Sequence, residues 1–338
     1  MIMDKINFIA EVGVNHEGNL KSAFNHIIAA KKGGADTVKF QVYKAEKIVS
    51  RYAKSYWDKK KNKETSQLKL FKKFDALNLN DYLKIYKFCK KIKIKFVITP
   101  FDIDTIDFFK TKVSSFKISS SDITNYPLLS KVSKAKKPII LSTGASTFNE
   151  VKNALKIIEK KNKKITLLHC ILNYPTKKID ANLNMIEDLK TFGYPVGLSD
   201  HTIPKDSHEI LPIAYLKGVR VIEKHFTLNK RKSGNDHFHS FDLNDLKIFF
   251  KKITSINKIL GKSKKIYLSS EKISRKNARR SIFLNKNLIK GSIIKSSDLI
   301  TLRPYLKSGI SAFDFKKVLG KKIKKTKFKG EYLSKNDF

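Results

Sequence analysis

The chain has 338 residues, 41% of them apolar and 30% charged, a globular composition that excludes a disordered chain. It carries 71 Lys+Arg against 30 Asp+Glu, a formal net charge of +41. Cys89 and Cys170 are its only cysteines, which excludes a disulfide framework and fits a reducing, cytoplasmic compartment.

No uncharged apolar run reaches the roughly 20 residues of a membrane span, and the start, MIMDKINFIAEVG, lacks a signal-peptide layout. No membrane partner is expected. The basic excess invites a nucleic-acid reading, the rival of another class, which predicts salt-sensitive binding to DNA or RNA. The lysines, however, are spread along the whole length in runs such as Lys59, Lys60 and Lys61, with no aromatic-interleaved stripe and no zinc-finger spacing. That distribution reads as a coat on surface helices, whose field would draw in anionic substrates.

Strand-like and helical segments alternate from the start. NFIAEVG (7–13) is β-like, and 22–34 repeats its apolar residues at helical spacing. TVKFQV (37–42) precedes a helical stretch at 80–92, then FVITP (96–100), SFKISS (115–120) and PIILST (138–143) follow. A helical segment at 149–161 leads to TLLHC (166–170) and PVGLSD (195–200), and one at 207–218 leads to VRVIEKHF (219–226). Gly34 and Gly218 stand where helices would stop. Eight strands in about 220 residues, alternating with helices, are the count of an α/β fold of the (β/α)₈ TIM-barrel type. A doubly wound open sheet is the alternative, but EVGVNHEGN after the first strand is not G-x-G-x-x-G. The barrel is assigned to 1–268 and a polar linker to 269–276. Residues 277–338 read as a small domain rich in short strands and turns.

In such a barrel the chemistry gathers at the carboxyl ends of the strands. Here those ends are polar: Glu11, Lys39 and Gln41, Thr99, Lys117 with Ser119–Ser121, Ser142, His169-Cys170 before Tyr174, Ser199-Asp200-His201, and Glu223-Lys224-His225. A lysine inside an apolar strand is costly unless it meets a charge. Lys39 and Lys117 therefore form either structural ion pairs with Glu11 or another acid, or a cradle for phosphate and carboxylate. His201 and His225 each end a strand beside an acid. Two such imidazoles could share a divalent ion, with open positions that suit Mn²⁺ or Mg²⁺ acting on a carbonyl. The loop at 233–242 brings Asp236, His237 and His239 over the barrel mouth, either as turn formers or for hydroxyl recognition.

FIAEVGVNHEGNL, GADTVKFQ, TPFD, FKISSSD, NYPLL, KPIILSTGAS, LLHC, NYPT, VGLSDHT, VIEKHFT and GNDH occur in that order. Together they resemble the sialic acid (N-acetylneuraminate) synthase family of phosphoenolpyruvate-dependent nonulosonate synthases. The tail, ARRSIFLNKNLIKGSIIKSSDLITLRP, resembles that family's C-terminal antifreeze-like (SAF) domain. The resemblance implies condensation of phosphoenolpyruvate with an N-acyl hexosamine, N-acetylmannosamine in the main reading, to a sialic-acid-type product and phosphate. A legionaminate or pseudaminate synthase using a diacetamido-trideoxyhexose is the alternative. It implies His201 and His225 as metal ligands and Lys117, Ser120, Ser142 and Ser199 on the phosphate. It also implies Lys39 and Thr99 near the carboxylate, Glu11 as a catalytic acid residue, and Gln41, Tyr174 and Asp236 on the sugar side. Arg303 would be delivered to the partner subunit in a domain-swapped homodimer. In this chain Tyr305 follows Arg303-Pro304, where the family usually has glycine.

Overall fold

The structure is a computed structural model that describes residues 5–57, 63–234 and 236–338. The lysine run 59–61 and Asn235 of the GNDH motif lie outside the described residues. The chain divides into two compact units, the first ending at Gly261 and the second spanning Lys262–Phe338.

The first unit is a closed parallel barrel in strand order one to eight. Its strands are β1 (Asn7–Gly13), β2 (Thr37–Val42), β3 (Lys95–Pro100), β4 (Ser115–Ile118), β5 (Ile139–Ser142), β6 (Ile165–Cys170), β7 (Val196–Asp200) and β8 (Val221–His225). β8 pairs in parallel with β1, Glu11 opposite His225, so the sheet closes and the open alternative is excluded. Helices between the strands are set by local chemistry. Thr147 and Glu150 form a capping box at Phe148–Glu159, and Asp242 and Asp245 do so at Leu243–Leu260. Gly218, at φ +93°, supplies the left-handed turn after the helix Pro204–Leu216.

Alternation along the strands sorts side chains between two environments. Phe8, Ala10, Val38, Phe40, Phe96, Ile98, Phe116 and Leu198 face outward into the main hydrophobic core with the helices. The other parity points into the barrel. Ile9, Ile140 and Leu168, with Val221, fill its lower interior as a separate apolar cluster. Gly197 leaves space for them. One step further along each strand the inward residues turn polar, and they form the floor of the site.

In the second unit β9 (Ser281–Leu284) and β10 (Leu299–Leu302) form an antiparallel pair. Ile282, Leu284, Ile294, Val318, Ile323 and Leu333 give the unit its own core. The stretch 269–276, expected as a linker, is largely helical, with an exposed helix at Lys272–Ala278. It contains no glycine or proline to oppose a helix. Asp337 is fully buried and accepts from Ser334 N (2.7 Å) and Lys327 Nζ (3.0 Å). Burial raises its carboxyl, but these donors and Lys325 outweigh that and hold it down at about 2.

Two predictions follow from packing and charge. A Cβ at Gly197 would lie 2.4 Å from Val221 O and 2.5 Å from Leu168 Cδ2. Gly197→Ala is expected to cost about 2–3 kcal/mol, read as a lower urea midpoint at constant slope. Asp337 has a depressed folded pKa, so its contribution is complete above its ordinary 3.8 and lost as pH falls through about 2. It is worth on the order of 2 kcal/mol, and Asp337→Asn should flatten the acid dependence of second-unit stability in that window.

Candidate active site

The inward polar tier is a continuous buried charge network. Lys39 Nζ stands 2.9 Å from Glu11 Oε2, 2.9 Å from Thr99 Oγ1 and 3.7 Å from Glu223 Oε2. Lys117 Nζ is 3.4 Å from Glu223 Oε1, which also accepts from Ser199 Oγ at 2.8 Å. Gln41 Nε2 donates to Glu11 Oε1 at 3.0 Å. The ion-pair reading of the strand lysines holds: both ammonium groups are paired with buried carboxylates, and both line the cavity.

Burial and charge set the ionisation of this tier. Burial raises the Glu223 carboxyl, but Lys117 and Lys39 overcome it and hold the group down at about 2. Burial lowers Lys39, yet the Glu11 and Glu223 charges raise it above its ordinary value. For Lys117 burial wins, and the ammonium is pushed down. Burial likewise raises Glu11 despite Lys39 beside it.

A cavity of about 550 Å³ opens above the network. Glu11, Lys39, Gln41, Thr99, Lys117, Ser120, Ser142, Tyr174, Ser199, His201, His225 and Asp236 all line it. On one side Ser120 Oγ accepts from Gly144 N at 2.9 Å. A Cβ at Gly144 would meet that Oγ at 2.9 Å and Cys170 Sγ at 3.1 Å, so this approach requires glycine. Ser142 Oγ is buried without a partner among the described residues, a donor that could serve an incoming oxygen.

On the other side the imidazoles gather. The His201 and His225 ring centroids are 5.5 Å apart, and Tyr174 lies 4.2 Å from His201. His201 Nδ1 is 2.9 Å from Ile171 O, which can only accept, so in the neutral ring that nitrogen carries the proton and Nε2 keeps its lone pair. His225 Nδ1 is buried without a hydrogen bond, 3.6 Å from Asp236 Oδ2. Burial, with the neighbouring imidazoles, keeps His225 well below its ordinary pKa and hence neutral, the form that ligates. Burial and Glu11 push Asp236 up to about 7. Burial lowers the His201 pKa, but Cys170 and Ile171 O raise it above its ordinary value. With the neutral His225 imidazole and the Asp236 carboxylate, His201 forms a donor set that fits a divalent cation once its Nε2 is deprotonated.

Two placements, those of Asp200 and His239, differ from the sequence picture. Asp200, beside His201, turns outward and pairs with Lys224 at 2.8 Å, so it does not support the histidine cluster. Arg303 lies exposed in the second unit, just after β10. His239, expected at most to meet a hydroxyl, is fully buried with its ring 5.0 Å from His225. Glu223 had no assigned role and proves to join Lys39, Lys117 and Ser199. Its strand position, two residues after the inward Val221, is the signal that could have found it.

A (β/α)₈ enzyme whose cavity sets buried lysines and serines beside a cluster of histidines is the class that fold and site define. The chain belongs to the NeuB family, whose match spans residues 26–265, followed by a SAF domain over residues 279–338. This family acts on phosphoenolpyruvate and an amino sugar, and its members are nonulosonate synthases. The chain is 40% identical to N,N'-diacetyllegionaminic acid synthase of Campylobacter jejuni, over 94% of this chain and 96% of that protein. It is 35% identical to the Legionella pneumophila protein of the same name, over 93% and 89%. It also resembles the crystal structure of N-acetylneuraminic acid (sialic acid) synthetase from Leptospira borgpetersenii, solved with citrate. The TM-score there is 0.69 and the identity 33%, covering 80% of this chain and 90% of that one.

Removing the Glu223 charge tests the network. Glu223→Gln leaves two buried lysines without their shared carboxylate and should cost about 3 kcal/mol. Inorganic phosphate should then raise the melting temperature of the variant more than that of the wild type.

Proposed function

We propose that this chain condenses phosphoenolpyruvate with a diacetamido-trideoxyhexose to give a legionaminic-acid-type nonulosonate and inorganic phosphate. This replaces N-acetylmannosamine, the substrate of the main sequence reading. The observation that carries the change is the 40% identity to a diacetyllegionaminic acid synthase across nearly both whole lengths. The cavity lining supports it. Tyr43, Tyr56, Phe71 and Phe101 join Ile48 and Val49 there, and Tyr43 lies 5.7 Å from Phe71 and 5.9 Å from Phe101. Such a wall suits a deoxy methyl group and acetamido methyls better than a hydroxyl.

In this reading Lys117, Ser120, Ser142 and Ser199 hold the phosphate, and Lys39 and Thr99 hold the carboxylate. Gln41, Tyr174 and Asp236 orient the sugar. A divalent cation at His201 and His225, Mn²⁺ or Mg²⁺, supplies Lewis-acid polarisation of the aldehyde when bound. C3 of phosphoenolpyruvate bonds to the aldehyde carbon and cationic character develops at C2. Water adds there, and phosphate leaves with cleavage of its C–O bond. Glu11, at the cavity floor, positions and deprotonates that water; burial raises its carboxyl despite Lys39, the direction a general base needs. The lysines offset the charge on the departing phosphate. The homodimer is carried forward with this reading, Arg303 serving the site of a second copy.

A phosphate-release assay with phosphoenolpyruvate, Mn²⁺ and a panel of hexosamines tests the proposal, with a chelator control. The diacetamido-trideoxyhexose should exceed N-acetylmannosamine in kcat/KM by about tenfold or more, the scale on which apolar pockets discriminate. The reverse order would overturn the choice of sugar. His201→Ala should lower turnover by more than about a hundredfold at an unchanged melting temperature of the metal-free protein. Full activity in that variant removes the metal role.

A further inference from the structure

The loop that follows β8 is held in place by main-chain and side-chain bonds. Phe241 N donates to His225 O at 2.8 Å, and Thr227 N to Phe241 O at 2.9 Å. Asn15 Nδ2 donates to both Phe226 O and Ser240 Oγ, at 3.0 and 3.1 Å. This frame fixes Asp236, His237 and His239 relative to the strand that carries His225.

The two loop histidines have opposite surroundings. His237 is satisfied, with Nδ1 2.7 Å from Thr227 Oγ1 and Nε2 3.5 Å from Glu17 Oε1. His239 is fully buried, and neither ring nitrogen has a hydrogen-bond partner among the described residues. His16 and His26, also buried, each keep one nitrogen engaged: His16 Nδ1 accepts from Gly18 N at 3.0 Å, and His26 Nδ1 meets Ser22 O at 2.8 Å. Among the described residues, His239 alone has both nitrogens buried and unpartnered. Leaving a buried polar group unsatisfied costs about 1–3 kcal/mol, so its retention calls for a partner.

The geometry supplies that partner's place. One ligand atom each from His225, Asp236 and His239 lies within 4.8 Å of the other two, a spread that a single small cation can bridge. The His239 ring is 5.0 Å from that of His225 and 6.4 Å from that of His201. We propose that His239 is a third imidazole ligand of the divalent cation at this site, acting with His225 and Asp236. This rests on the metal-dependent reading above and deepens it. An added nitrogen donor tightens binding and moves selectivity away from Mg²⁺, which prefers oxygen, toward Mn²⁺ and Co²⁺.

The test uses the full chain stripped of metal and titrated with Mn²⁺, with free Mn²⁺ followed by its paramagnetic resonance signal. His239→Ala should weaken the Mn²⁺ Kd by about tenfold or more and shrink the Mn²⁺-over-Mg²⁺ preference by a similar factor. A merely structural histidine would not move that ratio. A second measurement needs no variant: wild type loaded with Co²⁺ should show hyperfine-shifted imidazole N–H protons from His201, His225 and His239. Unchanged Kd and ratio in His239→Ala, or shifted signals from two imidazoles only, overturn the proposal and leave the proposed function standing. Failure of the wild type itself to bind Mn²⁺ overturns both.

Discussion

The carboxylate of Glu223, set between the ammonium groups of Lys39 and Lys117, is the interaction on which this barrel's working end depends. Two lysines at 3% exposure would not stay charged alone, since isolated buried charge is prohibitive. Glu11 and Glu223 together balance them, and Ser199, Thr99 and Gln41 add hydrogen bonds to the network. Such a network is a poor source of net stability compared with an apolar core, because desolvation offsets most of the attraction. Its consequence is a fixed array of charge. An anion that displaces part of the lysine–carboxylate attraction meets cations already oriented, with no reorganisation needed.

The neighbouring histidine cluster obeys the opposite rule. Those rings carry no countercharge of their own strength, so burial keeps His225 and His239 neutral. One cavity therefore presents ionised groups at its floor and uncharged nitrogen donors at its wall. The first suits a phosphate and a carboxylate, the second a cation. Keeping the two apart requires that the acid next to His201 be diverted, and Lys224 does this by binding Asp200 outside the barrel interior. The lysine-rich chain, at +41, adds a positive field of the sign that attracts anions.

Much of this was legible beforehand. The strand boundaries agree with the β-branched and aromatic runs to within two residues at nearly every end, because each buried parallel strand is bounded by polar turns. The polar strand ends were read as the site because inward parity at a barrel top leaves them nowhere else to go. What sequence reasoning handled poorly were residues whose neighbours are distant in the chain. Glu223 reads as an acid beside a histidine until β7 and β8 are aligned and Ser199 falls opposite it. His237 and His239 are two residues apart and look equivalent, yet one is bonded to Thr227 and the other faces His225. The apolar side of the cavity was hidden for a related reason: Tyr43, Tyr56, Phe71 and Phe101 come from separated segments, none of which forms a motif.

The amino-acid order alone determined the alternation of strand and helix, the inward parity that makes each strand end polar, and the division into a barrel and a small second unit. These are local properties, carried by side-chain period and turn chemistry over a few residues. Tertiary structure alone decided which lysine meets which carboxylate, which histidine is left without a hydrogen bond, and which acid is turned away from the cavity. Those outcomes depend on distances of 3 to 6 Å between strands far apart in sequence, where burial amplifies every charge and every missing partner.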